Sequence, residues 1–272
     1  MSFANSNGQQ IFYSTHGNGD KTIIFLSGLA ATSSVWLFQV PFFAQNHNVI
    51  TIDNRGSGQS AMPDEPYTMD VFADDVAAVM DAEEIHKAII VGAAMGGMIA
   101  QQFFHKYPEK VEALILSCSG VGPGDDAFVL SDPEALDIIS RDIPKSLDEV
   151  TELIKELLRC YFHPSYQEKN PEIIEKALAL YIENSQPEFA HKQQLAACFE
   201  TSNFSKQLLG ICVPTLILHG DEDKVWPLAN GQLLADKIPN SRLEVFENAG
   251  TLIYIEQPEK FNQLVLEFIE GL

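Results

Sequence analysis

The chain has 272 residues, 46% of them hydrophobic and 20% charged, a globular composition long enough to bury a core without disulfides or a structural metal. Seventeen Lys and Arg against 38 Asp and Glu give a formal net charge of −21, which repels phosphate backbones and anionic lipid, so neither nucleic acid nor a membrane is an expected partner. No apolar run approaches the roughly 20 residues of a membrane span. Met1 to Gly8 carries no basic cluster or apolar stretch, so no secretory leader is expected and a cytoplasmic location is the default. The four cysteines, Cys118, Cys160, Cys198 and Cys212, have no zinc spacing, and buried reduced thiols with no metal and no cofactor are expected.

Short β-branched runs alternate with longer amphipathic ones, the pattern of a mainly parallel sheet flanked by helices. Ile11 to Thr15 alternates and ends at a Gly-Asn-Gly-Asp turn, as an early antiparallel strand does. Lys21–Ser27 and Val49–Asp53 read as buried strands, and Tyr67–Ala82 has helical apolar spacing. A strand at Ala88–Val91, a helix from about Ala94 to Tyr107 and a strand at Ala113–Leu116 follow. From about Val121 to Gly210 the segments are helical only, opened by Asp132-Pro133 and Asn170-Pro171. Strand–helix alternation resumes with Pro214–Leu218, then a helix at about Leu228–Ile238, a strand at Arg242–Phe246 and a closing helix at Pro258–Ile269. The middle stretch reads as a helical cap over the carboxyl ends of the strands, where open parallel sheets bind ligands.

The strongest local signal is Val91-Gly92-Ala93-Ala94-Met95-Gly96-Gly97, between a strand and a helix. It has the glycine spacing of the nucleophile elbow, in which small residues two positions either side of the centre let helix and strand backbones nearly touch. Three further segments sit at strand ends: Asp53-Asn54-Arg55-Gly56-Ser57-Gly58-Gln59-Ser60, Leu218 to Pro227 (LHGDEDKVWP), and Glu247 to Ile253 (ENAGTLI).

In this order the four segments resemble the α/β-hydrolase superfamily, specifically its capped, cofactor-free esterases, enol-lactonases and carbon–carbon hydrolases, over essentially the whole chain. The resemblance implies an α/β-hydrolase fold: a mostly parallel eight-stranded sheet flanked by helices, with a helical cap inserted after the sixth strand. Residues 1–120 and 211–272 would form the core and 121–210 the cap. It also implies where the family's working groups fall. The nucleophile position is Ala94, the catalytic carboxylate Asp223 and the base position Thr251, with an oxyanion hole from the N–H groups of Met95 and Leu29, the latter after Ser27-Gly28.

Here the chain departs from that pattern. Alanine has no hydroxyl to attack a carbonyl, and threonine cannot take a proton near neutral pH as imidazole does. Losing either member of a Ser–His pair costs on the order of a millionfold in turnover. Ser27 also stands where the family usually places a histidine. A competent serine hydrolase is therefore not expected. Other groups expected near the pocket are Gly28, Ser119 and Cys118 at a strand end, Trp226 and Trp36, and His163 and His191 in the cap. His219 reads as a packed strand-end residue, and Arg55 as a clamp on the Asp53 turn through backbone carbonyls. Apolar cap residues such as Phe128, Leu157, Leu158, Tyr161, Phe162, Phe189 and Phe199 imply a moderately apolar, carbonyl-bearing small molecule. Three readings stay open: a non-hydrolytic member that binds or transforms such a compound by proton shift, decarboxylation or cyclisation; a serine hydrolase inactivated by Ser-to-Ala and His-to-Thr replacement; and a pseudoenzyme that docks proteins.

Overall fold

A computed structural model describes residues 1–272. Eight strands form one sheet: β1 (Ser2–Ser6), β2 (Gln9–His16), β3 (Thr22–Leu26), β4 (Asn48–Ile52), β5 (Ala88–Ala93), β6 (Val111–Ser117), β7 (Thr215–Gly220) and β8 (Ser241–Phe246). Their order is β1-β2-β4-β3-β5-β6-β7-β8. β2 runs antiparallel to both β1 and β4, and all other pairs are parallel, as the resemblance implied. The sequence reading missed β1. Its residues, Ser-Phe-Ala-Asn-Ser, have little strand preference, and its place is set by pairing with β2, Ala4 opposite Ile11.

The parallel strands are apolar on both faces because both faces are covered. On one face Ile24, Ile50, Ile90, Leu114 and Ile217 join Phe72, Val76, Val79 and Met80 of α2 (Met69–Ala82) and Met98, Ile99 and Phe103 of α3 (Met95–Lys106). On the other, Ile23, Phe25, Val49, Val91, Ile115 and Leu218 pack with Trp36 and with Phe43 of α1 (Gln39–Phe43). There Phe261, Val265 and Ile269 of α12 (Pro258–Glu270) complete the layer at four-residue spacing. The alternation of strand residues between the two sets follows the two-residue strand period. α10 (Leu228–Lys237) and α11 (Ile253–Glu256) complete the outer layers.

Between β6 and β7 the chain has no strand and six α-helices: α4 (Pro133–Ser140), α5 (Leu147–Tyr161), α6 (Pro164–Lys169), α7 (Pro171–Glu183), α8 (Glu188–Phe199) and α9 (Phe204–Gln207). Their starts are written in the sequence. Asp132 accepts from the Glu134 N–H, Ser146 from the Glu149 N–H, and Pro133, Pro164 and Pro171 each sit in a first turn. Gln194 of α8 fastens these helices to the sheet: its Nε2 donates to Arg55 O (2.8 Å) and Ser57 Oγ (2.9 Å), and its Oε1 accepts from Ala30 N–H (2.9 Å).

The Asp53 turn corrects one expectation. Arg55 does not clamp it through carbonyls but forms a buried two-pronged pair with Asp75, Nε to Oδ2 at 3.0 Å and Nη2 to Oδ1 at 2.7 Å. Asp53 closes its own turn by accepting from the Ser33 and Gln59 N–H groups. No helix is long and apolar enough to cross a membrane.

Candidate functional site

The turn from β5 into α3 has the geometry its glycines require. Ala94 lies at φ 50°, ψ −117°, a conformation that costs an alanine on the order of 1–3 kcal/mol. Three contacts hold it there: Ala94 N–H donates to Ser117 O (3.0 Å), and Ala94 O accepts from Ser119 Oγ (2.8 Å) and Gly97 N–H (2.9 Å). A Cβ on Gly92 would overlap the Gly96 carbonyl, and one on Gly96 would overlap the Leu26 carbonyl. A strained turn is thus maintained around a side chain that has no reactive atom.

The loop after β3 faces this turn, where a Cβ on Gly28 would lie 3.3 Å from Ala94 Cβ. Ala30, at φ 59°, gives its N–H to Gln194, whereas the Leu29 N–H donates to no protein group. Met95 is the first residue of α3, so its N–H has no acceptor four residues back in the helix. Leu29 and Met95 thus each carry an N–H without a protein acceptor, and both residues border the same cavity as Ala94.

Asp223 is 5% exposed at the end of β7. Its Oδ1 accepts from Val225 N–H (2.9 Å), Trp226 N–H (2.8 Å) and Thr251 Oγ1 (2.6 Å). Its Oδ2 has no hydrogen-bond partner and lies 3.7 Å from His219 Nε2, which hydrogen-bonds Trp226 O. Burial pushes the Asp223 carboxyl above its ordinary range, against the opposing pull of His219 and the Thr251 hydroxyl. Glu256 holds the loop before Thr251: its two oxygens accept from Gly250 N–H (2.8 Å) and His163 N–H (2.9 Å), and burial pushes it up to about 7.

Cys118, His219 and Asp223 place potential ligand atoms within 4.8 Å of one another. This is the nearest approach in the molecule to a thiol–imidazole–carboxylate set, and it does not work as one. Cys118 and His219 have no exposed surface, and burial, with the Asp223 charge beside it, raises the Cys118 thiol well above its ordinary range, so it stays protonated.

Between the sheet and the inserted helices lies a cavity of about 1020 Å³ including its mouth. Gly28, Leu29, Ala94, Met95, Trp226 and Thr251 are on its wall, brought together from separate loops and a helix start. Phe128, Tyr161 and Phe199 also reach it.

Several expected wall residues are elsewhere. Ser27 is fully buried behind the wall, taking a hydrogen bond from Trp36 Nε1 (3.1 Å) and giving one to Thr32 O (3.1 Å); Trp36 is core. Ser119 braces the Ala94 carbonyl beneath the wall, and Cys118 lies below it as well. His163 caps α6 and approaches Glu222 (3.2 Å), and His191 borders a neighbouring hollow against Ile139 O (3.3 Å). Leu158 and Phe162 fill core, and Phe189 is surface. No histidine lines the cavity and no side chain on its wall carries a charge. Among the wall residues that sequence reasoning missed are Tyr181 and Tyr254. Tyr254 lies three residues beyond Thr251, in the short helix that follows it, and that proximity in sequence was the available signal.

Comparison with known proteins places this architecture in context. Residues 21–258 match the family model described as "alpha/beta hydrolase fold". The chain is 30% identical over 257 residues to 3-oxoadipate enol-lactonase 2 of Acinetobacter baylyi, covering 93% of this chain and 90% of that protein. It is also 30% identical to 2-hydroxymuconate semialdehyde hydrolase of a Pseudomonas species, covering 93% and 84%. Among solved structures, Est816, described as an N-acyl homoserine lactone degrading enzyme, superposes with a TM-score of 0.81 at 32% identity, over 98% of this chain and 99% of that one. The meta-cleavage product hydrolase of Pseudomonas fluorescens, solved as a serine-to-alanine mutant complexed with acetates, superposes with a TM-score of 0.84 at 26% identity, over 100% and 98%.

Proposed function

The chain belongs to the α/β-hydrolase fold family, and from that premise we propose that it is a non-hydrolytic member, which binds a small, mainly apolar carbonyl compound in the cavity beside Ala94. Any chemistry it performs there needs no acyl-enzyme: a proton shift, a decarboxylation or a cyclisation. In this reading residues 1–120 and 211–272 form the body and 121–210 a cap that closes the cavity. Leu29 and Met95 N–H receive the carbonyl oxygen.

The observation that carries the reading is the cavity wall itself. It joins an alanine at the elbow to a threonine at the base position and includes no imidazole. The acid is already engaged, with Thr251 Oγ1 on the same oxygen that accepts from Val225 and Trp226. The two donors beside Ala94 remain, and they favour an oxygen that carries or develops negative charge whether or not a nucleophile is present. Relatives named as a lactonase and a semialdehyde hydrolase support a carbonyl compound as the occupant.

A second reading, a serine hydrolase silenced at both positions, is favoured by the strained turn that Ala94 keeps. Such a chain would derive from a gene encoding serine and histidine there, which sequencing the gene decides.

The test is direct. Purified protein is incubated with a fluorophosphonate probe and with p-nitrophenyl acetate, and a separate sample is denatured and extracted for mass spectrometry. The expected result is no labelling, no turnover above background and a co-purified carbonyl compound. Stoichiometric labelling abolished by replacing one particular Ser or Cys would overturn the proposal.

A further inference from the structure

The chain has seven tyrosines, and their hydroxyls divide into two sets. Tyr13 donates to Glu83, Tyr67 to Pro63 O, Tyr107 to Asp74 and Tyr166 to Ile255 O. The other three, Tyr161, Tyr181 and Tyr254, make no hydrogen bond to the protein, and all three line the cavity beside Ala94 and Thr251. Nor are their oxygens among the sealed polar atoms that lack a partner, so they face open space, which is this cavity and, for Tyr161 and Tyr181, the hollows that adjoin it. A phenol held in an apolar wall normally finds an acceptor, because an unpaired hydroxyl away from water is costly.

The three come from separate elements and are anchored independently. Tyr161 ends α5, and its carbonyl accepts the Thr251 N–H (2.8 Å), tying it to the base position. Tyr181 comes from α7 and also borders the two neighbouring hollows. Tyr254, 3% exposed, lies in α11, three residues after Thr251; its ring packs on Trp36 with centroids 4.5 Å apart, and its carbonyl accepts from Gln39. All three rings border one cavity, beside Ala94 and Thr251. Burial raises all three above the ordinary phenol range, Tyr181 to about 12, so each stays protonated at physiological pH and can donate.

We infer that Tyr161, Tyr181 and Tyr254 form a hydrogen-bond donor cluster for a second oxygen of the ligand, opposite the Leu29 and Met95 N–H pair. This deepens the reading of the cavity as a carbonyl-compound site and rests on it. The ligand class it defines is a neutral, mainly apolar molecule with at least two acceptor oxygens, such as a β-dicarbonyl or its enol. A permanent carboxylate does not fit, since no Lys, Arg or His stands on the wall to balance it. Phenols and peptide N–H groups together supply donors without cations, a set suited to charge that is spread over two oxygens.

The experiment compares two probes of similar shape, benzoylacetone and butylbenzene, the second lacking both oxygens. Binding is read by quenching of Trp226 fluorescence, with Trp226→Phe as the control for the core residue Trp36. The native protein should bind benzoylacetone more tightly and shift its absorption toward the enol or enolate form. Each of Tyr161→Phe, Tyr181→Phe and Tyr254→Phe should weaken benzoylacetone about threefold to tenfold, reduce the spectral shift and leave butylbenzene unchanged. Unaltered butylbenzene affinity shows that the variants are folded. A preference for benzoylacetone that survives all three replacements would overturn the donor cluster while leaving the carbonyl site standing. Equal loss of both probes would assign the rings to cavity shape alone and also overturn it. Failure of the native protein to bind either probe would remove the carbonyl-site reading and the cluster with it.

Discussion

Thr251 Oγ1 donates to Asp223 Oδ1 at 2.6 Å. The carboxylate at the end of β7 therefore keeps its reach to the loop after β8, but its partner there is a hydroxyl with no basic atom. No imidazole stands at position 251 for Asp223 to orient, and the one beside it, His219, is sealed in the core.

The turn at Ala94 keeps its strained backbone all the same. If the silenced-hydrolase reading holds, Ala94→Ser together with Thr251→His should gain fluorophosphonate labelling, because the turn at φ 50° and the hydrogen-bonded carboxylate are already in place, whereas a double variant that stays unlabelled favours the non-hydrolytic reading. Either replacement alone should label no faster than the parent, since hydroxyl and base act as a unit. Labelling rates of the four proteins, measured side by side, check this; equal rates for double and single variants would show that the wall cannot seat the ring.

Gly96 sets the approach of α3 to β3. Gly96→Ala should yield little soluble protein, because the new Cβ overlaps the Leu26 carbonyl, which belongs to a central strand that cannot retreat. Gly8→Ala meets no atom within 4 Å and carries only the strain of φ +88°, so it should cost about 1 kcal/mol. Expression yield and thermal melting of the pair provide the comparison.

The Glu256 carboxyl binds its proton more tightly in the folded protein, at about 7, than in the unfolded chain, near the ordinary glutamate value of 4.5. Stability from this group is complete below about 4.5 and is lost as pH rises through 7, by at most about 3 kcal/mol. Glu256→Gln lacks the titration, so its denaturation free energy should fall less steeply between pH 5 and 7. At low pH, where Glu256 is itself protonated, the variant should match the parent closely, since acid and amide each keep one carbonyl acceptor for the two N–H groups. Urea denaturation at several pH values tests both; parallel pH profiles for parent and variant would count against the assignment.

Gln194→Leu removes two donors and an acceptor that join α8 to Arg55, Ser57 and Ala30. With the buried carbonyl of Arg55 and the N–H of Ala30 left unpaired, the loss should be about 2–4 kcal/mol. Because Ala30 follows Leu29, amide exchange at Ala30 should accelerate more than exchange in β5 or β6. Hydrogen exchange resolved by residue measures the difference.

Much of this was legible in the linear order of residues. The two-residue and 3.6-residue periods give the central strands and helices, Asp132-Pro133 and Asn170-Pro171 mark helix starts, and the glycines around Ala94 announce a tight turn, because all of these are local constraints. Strand β1 was not legible, since its pairing with β2 supplies what its own residues lack. Arg55 was misread because its partner, Asp75, is 20 positions away on a helix face that only folding brings opposite it.

The sequence by itself determined that alanine and threonine occupy positions 94 and 251, and hence which reactive atoms are missing, because that is a matter of covalent composition. Tertiary structure alone decided which side chains face the cavity. Ser27, Ser119, His163 and His191 lie off the wall, while Tyr161, Tyr181 and Tyr254, drawn from three separate helices, converge on it. Facing is fixed by how helices pack onto the sheet, a relation between distant segments that no local pattern encodes.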